Sequence, residues 1–382
     1  MNKKEMKNQA ENRKAKISPT LDDLLSDEMG YYEDNQDEKL TIEVPTPREI
    51  KEFLDSRIVG QEEAKRVISV AIYNHYKRII SGRTDIKKSN VLLIGPTGCG
   101  KTEIARAVAE IVGVPFCICD ATTVTQAGYV GDDVENMLLR LFQAADMNLA
   151  AAECGIIYVD ELDKIARKGE NTSITRDVSG EGVQQALLKI IEGSEVDVAL
   201  TGGRKHPNQN DRIRFNTEDV LFICGGAFEN LTMNKNENKT MGFLETKSDD
   251  NKSEIEEKDV IKQGIIPELV GRLPVIARLH DLSEDDLKRI LVEPANSITR
   301  QYTELLAMDG ISLKWDDSVL EYIAKKAKEK GTGARGLKSI IEKSMTDLMY
   351  TVPGTELSGE ITITMDGDNI VYKHNNEVIT AA

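Results

Sequence analysis

The sequence predicts an α/β fold of the P-loop class, with a large domain built on a parallel sheet flanked by helices and a smaller C-terminal α+β domain. Short apolar runs alternate with amphipathic segments between residues 91 and 224, a pattern typical of parallel sheets that are covered on both faces. A glycine-rich turn at residues 95–102 follows the first of these runs. With 382 residues, the chain is long enough for about two domains.

Helices and strands are expected to alternate through the first domain. Thr46-Pro47, with Glu49 behind it, predicts the start of a helix, and the apolar residues 67–72 belong to a second one. Buried strands are predicted at residues 91–94, 116–119, 156–159 and 220–224, and helices at residues 102–112, 132–145 and 183–191. Residues 201–214 and 234–263 are polar and predict long surface loops.

A change of composition after about residue 280 marks the second domain. Helices are predicted there at residues 287–306, 319–328 and 336–350, and a hairpin at residues 361–372. The predicted division of the chain is a flexible acidic arm at 1–42, a large domain at 43–280, a small domain at 281–374 and a tail at 375–382.

Composition excludes several classes of partner. Acidic residues outnumber basic ones by 65 to 49, which gives a net charge of −16, and aromatic residues make up only 5%. Such a chain is not expected to bind nucleic acid or an anionic membrane surface. It has no apolar run near 18 residues and no apolar segment in Met1 to Ser18, so neither a membrane span nor a secretion signal is expected. The expected location is cytoplasmic.

The five cysteines, at positions 99, 117, 119, 154 and 224, form no C-x₂-C pair. No zinc site is therefore expected, and reduced, buried thiols are the simpler interpretation. Cys117 and Cys119 lie two residues apart in an apolar run, and they are expected to face opposite sides of a strand.

The turn after the first strand matches the phosphate-binding motif G-x-x-x-x-G-K-[ST] without departure. Its residues are Gly95, Pro96, Thr97, Gly98, Cys99, Gly100, Lys101 and Thr102. Glycines allow backbone N–H groups to surround a phosphate, and the helix that follows adds its positive N-terminal end. Lys101 is expected to contact the β- and γ-phosphates of a nucleotide, and the Thr102 hydroxyl to bind Mg²⁺.

An acidic pair, Asp160 and Glu161, ends the apolar run at residues 156–159. Asp160 is expected to hold Mg²⁺ through water, and Glu161 to orient and polarise the attacking water. This pair indicates hydrolysis by a motor rather than a kinase or a slow switch. The chain has no guanine-selecting Asn-Lys-x-Asp tetrad, which favours ATP over GTP.

Further motifs stand in order around these ATPase residues, from about Val44 into the C-terminal domain. They are Ile58-Val59-Gly60-Gln61, Tyr73–Arg78, Gly128-Tyr129-Val130-Gly131, residues 173–182, Gly203–Pro207, Gly264–Pro274 and Gly333–Leu337. Together they resemble the ClpX family of AAA+ protein unfoldases. The resemblance implies an AAA+ large domain, a homo-hexameric ring, ATP and Mg²⁺ as cofactors, and protein substrates.

The family's substrate-gripping segments imply roles for residues that line a central channel. By resemblance, Tyr129 and Val130 belong to the first pore loop and Arg176 to the second. Arg204, Lys205 and His206 resemble the basic loop at the channel entrance. An aromatic side chain between glycines fits a broad, sequence-tolerant contact with a polypeptide.

The resemblance also assigns residues around the nucleotide. Val59 and Tyr73 are implied on the adenine side, Arg272 as the arginine finger of the neighbouring subunit's site, and Arg335 as the second sensor. The strand that ends in residues 225–228 lies where these motors keep a first, γ-phosphate sensor, and the sensing atom is not identified.

Two departures from the family pattern leave alternatives open. Residues 1–42 contain no cysteine, so the family's four-cysteine zinc module is not expected. The loop that docks a ClpP-type peptidase normally has a branched aliphatic residue before Gly-Phe, and here it reads Met241-Gly242-Phe243. The leading hypothesis is an unfoldase that feeds a ClpP-type peptidase. A peptidase-independent chaperone or disassembly ATPase, or a nucleic-acid-remodelling AAA+ ATPase, are the alternatives.

Overall fold

A sheet of five parallel strands forms the centre of the first domain in the computed structural model of the chain. The structure describes residues 44–83, 85–124, 133–167, 180–200, 212–233, 255–353, 355, 357–375 and 377–379. The strands are β1 (Val91–Ile94), β2 (Phe116–Asp120), β3 (Ile156–Asp160), β6 (Leu221–Gly226) and β7 (Val275–Arg278). They lie in the order β2-β3-β6-β1-β7, and each neighbouring pair is parallel. The predicted parallel sheet is confirmed.

Helices accompany this sheet in the alternating order that the sequence predicts. They are α1 (Pro47–Asp55), α2 (Glu62–Ser81), α3 (Lys101–Val112), α4 (Val134–Ala144), α5 (Leu149–Glu153), α6 (Glu181–Glu192), α7 (Glu229–Met233), α8 (Glu257–Lys262) and α9 (Pro267–Val270). Short 3₁₀ turns lie at Ala121–Thr123 and Leu162–Ile165. At the start of α1, Thr46 and Glu49 form a reciprocal capping box with Pro47 in the first turn.

Both faces of the sheet are buried, as the uninterrupted apolar strands predict. Leu92 and Ile94 of β1 belong to the hydrophobic core on one face, and Val91 and Leu93 belong to the core on the other face. All four side chains are fully buried. Because strand side chains alternate between faces, this short strand contributes to both hydrophobic cores. The phosphate loop therefore begins at the end of a fully buried strand.

Two regions predicted as loops contain regular structure. A two-stranded hairpin pairs β4 (Glu195–Ala199) with β5 (Arg212–Asn216), so residues 212–214 are strand rather than loop. In the second region, Glu257–Lys262 forms α8. The hairpin was not predicted because polar residues occupy every second position of its strands. Val196, Val198 and Phe215 nevertheless carry the period-two apolar pattern of a strand pair.

The smaller C-terminal domain has a mixed sheet packed on helices. Its elements are α10 (Glu284–Val292), α11 (Ile298–Met308), β8 (Ile311–Trp315), α12 (Asp317–Glu329), α13 (Ala334–Thr351), β9 (Gly359–Asp366), β10 (Asn369–His374) and β11 (Glu377–Ile379). Strands β8 and β9 are parallel, and β9, β10 and β11 are antiparallel. The predicted hairpin is β9–β10, with Asp366 opposite Asn369 across a two-residue turn. Strand β11 lies in the stretch that the sequence assigned to a tail.

The single helix predicted at residues 287–306 is wrong, because two helices occupy that stretch. The first ends at Val292 and the second begins at Ile298. Pro294 lies between them, and proline both lacks an N–H donor and disfavours helical backbone in the residue before it.

The expectation that Cys117 and Cys119 face opposite sides of their strand is also wrong. Residues two apart in a strand share a face, and both thiols lie in the same hydrophobic core. None of the five cysteines forms a disulfide. Within the part of the chain that the structure describes, no helix combines the length and apolar character needed to cross a bilayer.

Candidate functional site

The phosphate loop connects the buried strand β1 to helix α3, which begins at Lys101. The Lys101 Nζ atom donates hydrogen bonds to the Gly95 and Pro96 carbonyl oxygens, at 2.6 and 2.9 Å, and the side chain is only 9% exposed. The ammonium group is thus held over the loop where phosphates would lie. The first turn of α3 has N–H groups without helical partners, which are suited to an anion.

Thr102 and Asp160 meet at the carboxyl edge of the sheet. Thr102 Oγ1 donates to Asp160 Oδ2 at 3.2 Å, although 57 residues separate them in the chain. Tyr158 Oη donates to the other carboxylate oxygen, Asp160 Oδ1, at 3.1 Å. Burial raises the pKa of Tyr158 well above its usual range, so the phenol remains a donor at all physiological pH values.

This donor set fits Mg²⁺ bound together with a nucleotide. Magnesium prefers oxygen ligands and is usually held by one or two protein groups plus waters and phosphates, and one hydroxyl beside one carboxylate supplies that minimum. Among the described residues, no cluster of three or more His, Cys, Asp or Glu side chains is arranged to hold a metal by protein ligands alone. A metal here would therefore depend on the nucleotide.

Glu161 follows Asp160 in an unusual backbone conformation. Its φ of 58° is left-handed, which costs a non-glycine residue about 1–2 kcal/mol. Its N–H donates to Asp160 Oδ1 at 2.9 Å, and the residue is exposed. The strained turn directs the chain away from the end of β3, and strain of this kind is concentrated at functional sites. No sequence signal had indicated this conformation.

The small domain contacts the phosphate loop directly. The Ala334 N–H, at the start of α13, donates to the Gly98 carbonyl at 3.1 Å. A Cβ atom at Gly98 would lie 2.4 Å from the Thr332 carbonyl oxygen, so the close approach requires glycine here. Arg335 is the next residue of α13 and is exposed. The structure thus brings the predicted second sensor beside the loop that would hold the phosphates.

Gln61 links the phosphate loop to a segment distant in the chain, a role that its sequence motif does not indicate. Its side-chain amide donates to the His280 carbonyl at 2.8 Å and to the Cys99 carbonyl at 3.4 Å, and its oxygen accepts from the His280 N–H at 2.8 Å. The side chain is 8% exposed. It therefore ties the phosphate loop to the segment that leads into the small domain. The motif Ile58–Gln61 was the available signal, but it pointed to the base rather than to this junction.

A cleft of about 240 Å³ adjoins these residues. Its lining comes from both domains: Arg57 and Glu103 on one side, and Ile290, Ala334 and Leu337 on the other. Glu103 follows Thr102, and Ala334 contacts Gly98. The cleft therefore lies between the two domains, close to residues that adjoin the phosphate loop.

Val59 and Tyr73, the predicted adenine contacts, do not line this cleft. Val59 is buried in the segment before Gln61. Tyr73 lies twelve positions beyond Gln61, about 18 Å along helix α2, with Lys77 Nζ 5.1 Å from its ring centre. Helix α2 carries Tyr73 away from the phosphate loop, and its contact with the base of a nucleotide stays a prediction.

The C-terminal part of α2 contacts the segments that precede β3 and β6, at the amino ends of these strands. His75 Nε2 lies 3.0 Å from the Asp219 carbonyl oxygen, Tyr76 Oη donates to the Cys154 carbonyl at 3.1 Å, and Arg78 pairs with Asp219 at 2.6 Å. Burial lowers the pKa of His75 to about 3, so the imidazole is neutral. This part of the Tyr73–Arg78 motif is structural.

Arg272 lies at the sheet edge opposite its own phosphate loop. It precedes β7, whose first residue pairs with Val91, the first residue of β1. The phosphate loop, in contrast, follows the last residue of β1. The four residues of β1 span about 13 Å. Arg272 Nε and Nη2 both donate to Glu192 Oε1, at 2.9 and 2.7 Å. The Arg272 side chain is 46% exposed.

Asn90 fixes the backbone beside Arg272. Its side-chain amide donates to the Arg272 carbonyl at 3.0 Å and to the Ile191 carbonyl at 3.4 Å, and its oxygen accepts from the Phe222 N–H at 3.1 Å. Asn90 is 1% exposed. One buried amide therefore joins the arginine, the end of the helix that carries its ion-pair partner, and the central strands.

The predicted residues for substrate and peptidase contact lie outside the described residues. They are Tyr129, Val130, Arg176, Arg204, Lys205, His206, Met241, Gly242 and Phe243. The elements on either side of two of these segments are described by the structure. Residues 201–211 connect the strands of the β4–β5 hairpin, and residues 125–132 lie between the 3₁₀ turn at Ala121–Thr123 and α4.

Comparison with known proteins gives matches along most of the chain. The family described as AAA domain (Cdc48 subfamily) matches residues 86–276, and the C-terminal, D2-small domain of ClpB protein matches residues 282–363. The ATP-dependent Clp protease ATP-binding subunit ClpX of Borrelia duttonii is 52% identical over 336 residues, which cover 85% of this chain and 78% of the relative. The proteins of the same description from Treponema denticola and Bacteroides thetaiotaomicron are 51% and 50% identical, over 84% and 85% of this chain and 80% and 81% of the relatives.

Proposed function

Because the chain belongs to the ClpX family of AAA+ ATPases, we propose that it is an ATP-dependent protein unfoldase that threads polypeptides through a hexameric ring. The observation that carries the proposal is the contact of Thr102 with Asp160 beside a phosphate loop that the small domain also touches. A nucleotide bound there contacts both domains, so its hydrolysis can move one against the other. Because the motor consumes ATP, its proposed location is the cytoplasm.

Hydrolysis of ATP needs a positioned water and stabilised phosphate charge. Glu161 orients a water and accepts its proton as the water oxygen bonds to the γ-phosphorus; the bond from that phosphorus to the β,γ-bridging oxygen breaks, releasing ADP and phosphate. Lys101 would contact the β- and γ-phosphates, and Thr102 and Asp160 would hold Mg²⁺. The chemistry that Mg²⁺ supplies when bound is neutralisation of charge on the phosphate oxygens.

The mechanical step follows from the junction between the domains. The Ala334–Gly98 contact and the Gln61 bridge to His280 connect the phosphate loop with the small domain. Arg335, in the first turn of α13, contacts the nucleotide from the small domain. Loss of the γ-phosphate changes what Arg335 can bind, and the small domain then turns relative to the large one.

The position of Arg272 supports the proposal of a ring. The guanidinium lies at the edge opposite its own phosphate loop and is partly exposed, so it completes the site of an adjacent subunit. Head-to-tail interfaces generate rings where the rotation between successive subunits closes. The proposed ring is a homo-hexamer, as the resemblance to the family implies.

The unfolding role is tested by replacing Tyr129 with alanine. Tyr129 is proposed to grip the polypeptide and takes no part in hydrolysis. The Tyr129→Ala variant is therefore expected to keep its ATPase activity and to lose unfolding by an order of magnitude or more. The measurement is loss of native fluorescence of a protein substrate identified by capture on the Glu161→Gln variant.

The matched control for that experiment is Tyr350→Ala, because Tyr350 is an exposed tyrosine on α13, with 85% of its surface accessible. Tyr350→Ala should unfold the substrate at the wild-type rate. Full unfolding by Tyr129→Ala would refute the pore-loop role while leaving the ATPase assignment intact.

Delivery to a ClpP-type peptidase is the proposed outcome of translocation, and the family name of the relatives supports it. Methionine is apolar and unbranched and can fill an irregular pocket, so Met241 is compatible with docking. Co-purification with a ClpP-type peptidase is expected for the wild type and is expected to be lost in Phe243→Ala, with ATPase activity retained. Peptidase binding that does not depend on Phe243 would favour a different docking surface.

A peptidase-independent chaperone or disassembly ATPase is the second candidate, motivated by Met241 and by the cysteine-free residues 1–42. It predicts ATP-dependent unfolding without association with any ClpP-type peptidase. The nucleic-acid-remodelling alternative predicts strong stimulation of ATPase by DNA, which the net charge of −16 disfavours.

A further inference from the structure

The last two residues of β6 and the two that follow carry no polar side chain. This strand lies between β3 and β1, so its end adjoins both the acidic pair and the phosphate loop. Its last residues, and the two that follow, are Gly225, Gly226, Ala227 and Phe228. The Ala227 N–H is already engaged, because it donates to Asp163 Oδ1 at 3.0 Å.

Tyr158, on the adjacent strand β3, fills the space that Gly225 leaves. A Cβ atom at Gly225 would lie 2.1 Å from Tyr158 Oη and 2.9 Å from Tyr158 Cζ, much closer than non-bonded heavy atoms approach. Strands β3 and β6 pair with Tyr158 opposite Ile223, so the phenol crosses over the end of its neighbour. Glycine at 225 is what admits it.

The phenol is fixed next to the carboxylate on the metal side of the site. Tyr158 and Asp160 are two apart in β3 and share a face, and Tyr158 Oη donates to Asp160 Oδ1 at 3.1 Å. Thr102 donates to the second oxygen, Oδ2, at 3.2 Å. Oδ1 also accepts from the Glu161 N–H at 2.9 Å. Both carboxylate oxygens therefore have donors, and the carboxylate cannot rotate without breaking these hydrogen bonds, of which Tyr158 supplies one of the two from a side chain.

We propose that Tyr158 is a positioning residue of the ATPase site, whose hydroxyl holds Asp160 in its Mg²⁺-binding orientation. The proposal rests on the proposed function in one respect, the assignment of Asp160 to Mg²⁺. Groups that orient a metal-side ligand by hydrogen bonding contribute strongly to metal affinity, and a carboxylate already aligned loses less freedom on binding.

The test is the Mg²⁺ dependence of nucleotide binding by Tyr158→Phe. The variant keeps the ring and loses only the donor. Binding of a fluorescent ADP analogue is titrated at increasing Mg²⁺ and again in EDTA. The Mg²⁺ concentration for half-maximal binding should rise by about tenfold, a typical effect of losing a hydrogen bond to a metal-side ligand, while binding in EDTA stays as in the wild type.

Tyr76→Phe is the matched control, because Tyr76 is equally buried and its hydroxyl donates to the Cys154 carbonyl at the other edge of the sheet. It removes one buried hydrogen bond without touching Asp160. Tyr76→Phe should lower the unfolding temperature by an amount similar to Tyr158→Phe and leave the Mg²⁺ dependence unchanged. In an Asp160→Asn background, Tyr158→Phe should add no further shift.

Three results would overturn the proposal or its premise, and they are distinguishable. Wild-type Mg²⁺ dependence in Tyr158→Phe would refute the positioning role. An equal shift in Tyr76→Phe would show that loss of stability alone produces the effect. Wild-type binding that ignores Mg²⁺ altogether would remove the assignment of Asp160, and with it the metal part of the proposed function.

Discussion

Replacing Glu161 with glutamine is expected to slow ATP turnover by about 10²–10⁴-fold, the contribution that a positioned general base makes. Glutamine has nearly the same size and can still accept a hydrogen bond from water, but it cannot take the proton. Binding of ATP should remain close to that of the wild type, because Lys101, Thr102 and Asp160 are unchanged. Phosphate release under saturating ATP measures the first effect, and a binding titration measures the second.

The control for Glu161→Gln is Glu304→Gln, which removes an exposed carboxylate on α11 of the small domain and should turn over ATP at the wild-type rate. Retained turnover in Glu161→Gln would contradict the assignment of the general base. A variant that binds ATP without hydrolysing it should also hold its protein substrate, which makes it the reagent for identifying substrates.

The second large effect is expected at Arg272. Replacement by alanine removes the positive charge that is proposed to act at the γ-phosphate of an adjacent subunit. Arginine fingers contribute about 10³–10⁵-fold to turnover in related NTPases. Lysine should not rescue the loss, because it lacks the planar fork of donors. Steady-state ATPase activity at saturating ATP measures the effect.

Arg272 also pairs with Glu192 in its own subunit, so the alanine variant breaks that ion pair as well. Glu192→Gln separates the two consequences, because it weakens the same pair but keeps the arginine. The pair is partly exposed on both sides, and surface pairs contribute only about 0–1 kcal/mol to stability. Turnover near the wild-type rate is expected for Glu192→Gln. A loss as large as that of Arg272→Ala would assign the effect to the ion pair instead.

The sequence was sufficient for the parts of the site that are local in the chain. The phosphate loop could be placed between a strand and a helix because its glycines, Lys101 and Thr102 are consecutive. The acidic pair could be placed at a strand end because four apolar residues precede Asp160. Parallel strands bring their carboxyl ends to one edge, which explains why the Thr102–Asp160 contact follows from two separate motifs.

Features that depend on tertiary contacts could not be predicted from the sequence. Helix α2 carries Tyr73 away from the phosphate loop, and only the packing of that helix along the sheet shows this. Gln61 was recognised as part of a motif, but its bridge to His280 joins residues 219 positions apart. The role of Gly225 could not be predicted either, because the sequence does not show which side chain occupies the space beside a strand glycine. The structure shows that this side chain is Tyr158.

Subunit mixing tests most directly whether this ATPase is a ring whose sites are completed by the neighbour. Arg272→Ala subunits retain Glu161, and Glu161→Gln subunits retain Arg272, so each variant alone lacks one essential group at every site. Co-expression in equal amounts should make roughly one quarter of the sites complete, if an Arg272→Ala subunit is followed by a Glu161→Gln neighbour at random. ATPase activity of the mixture well above that of either variant alone is the expected result. A mixture no more active than the separate variants would contradict completion of the site by Arg272 from an adjacent subunit.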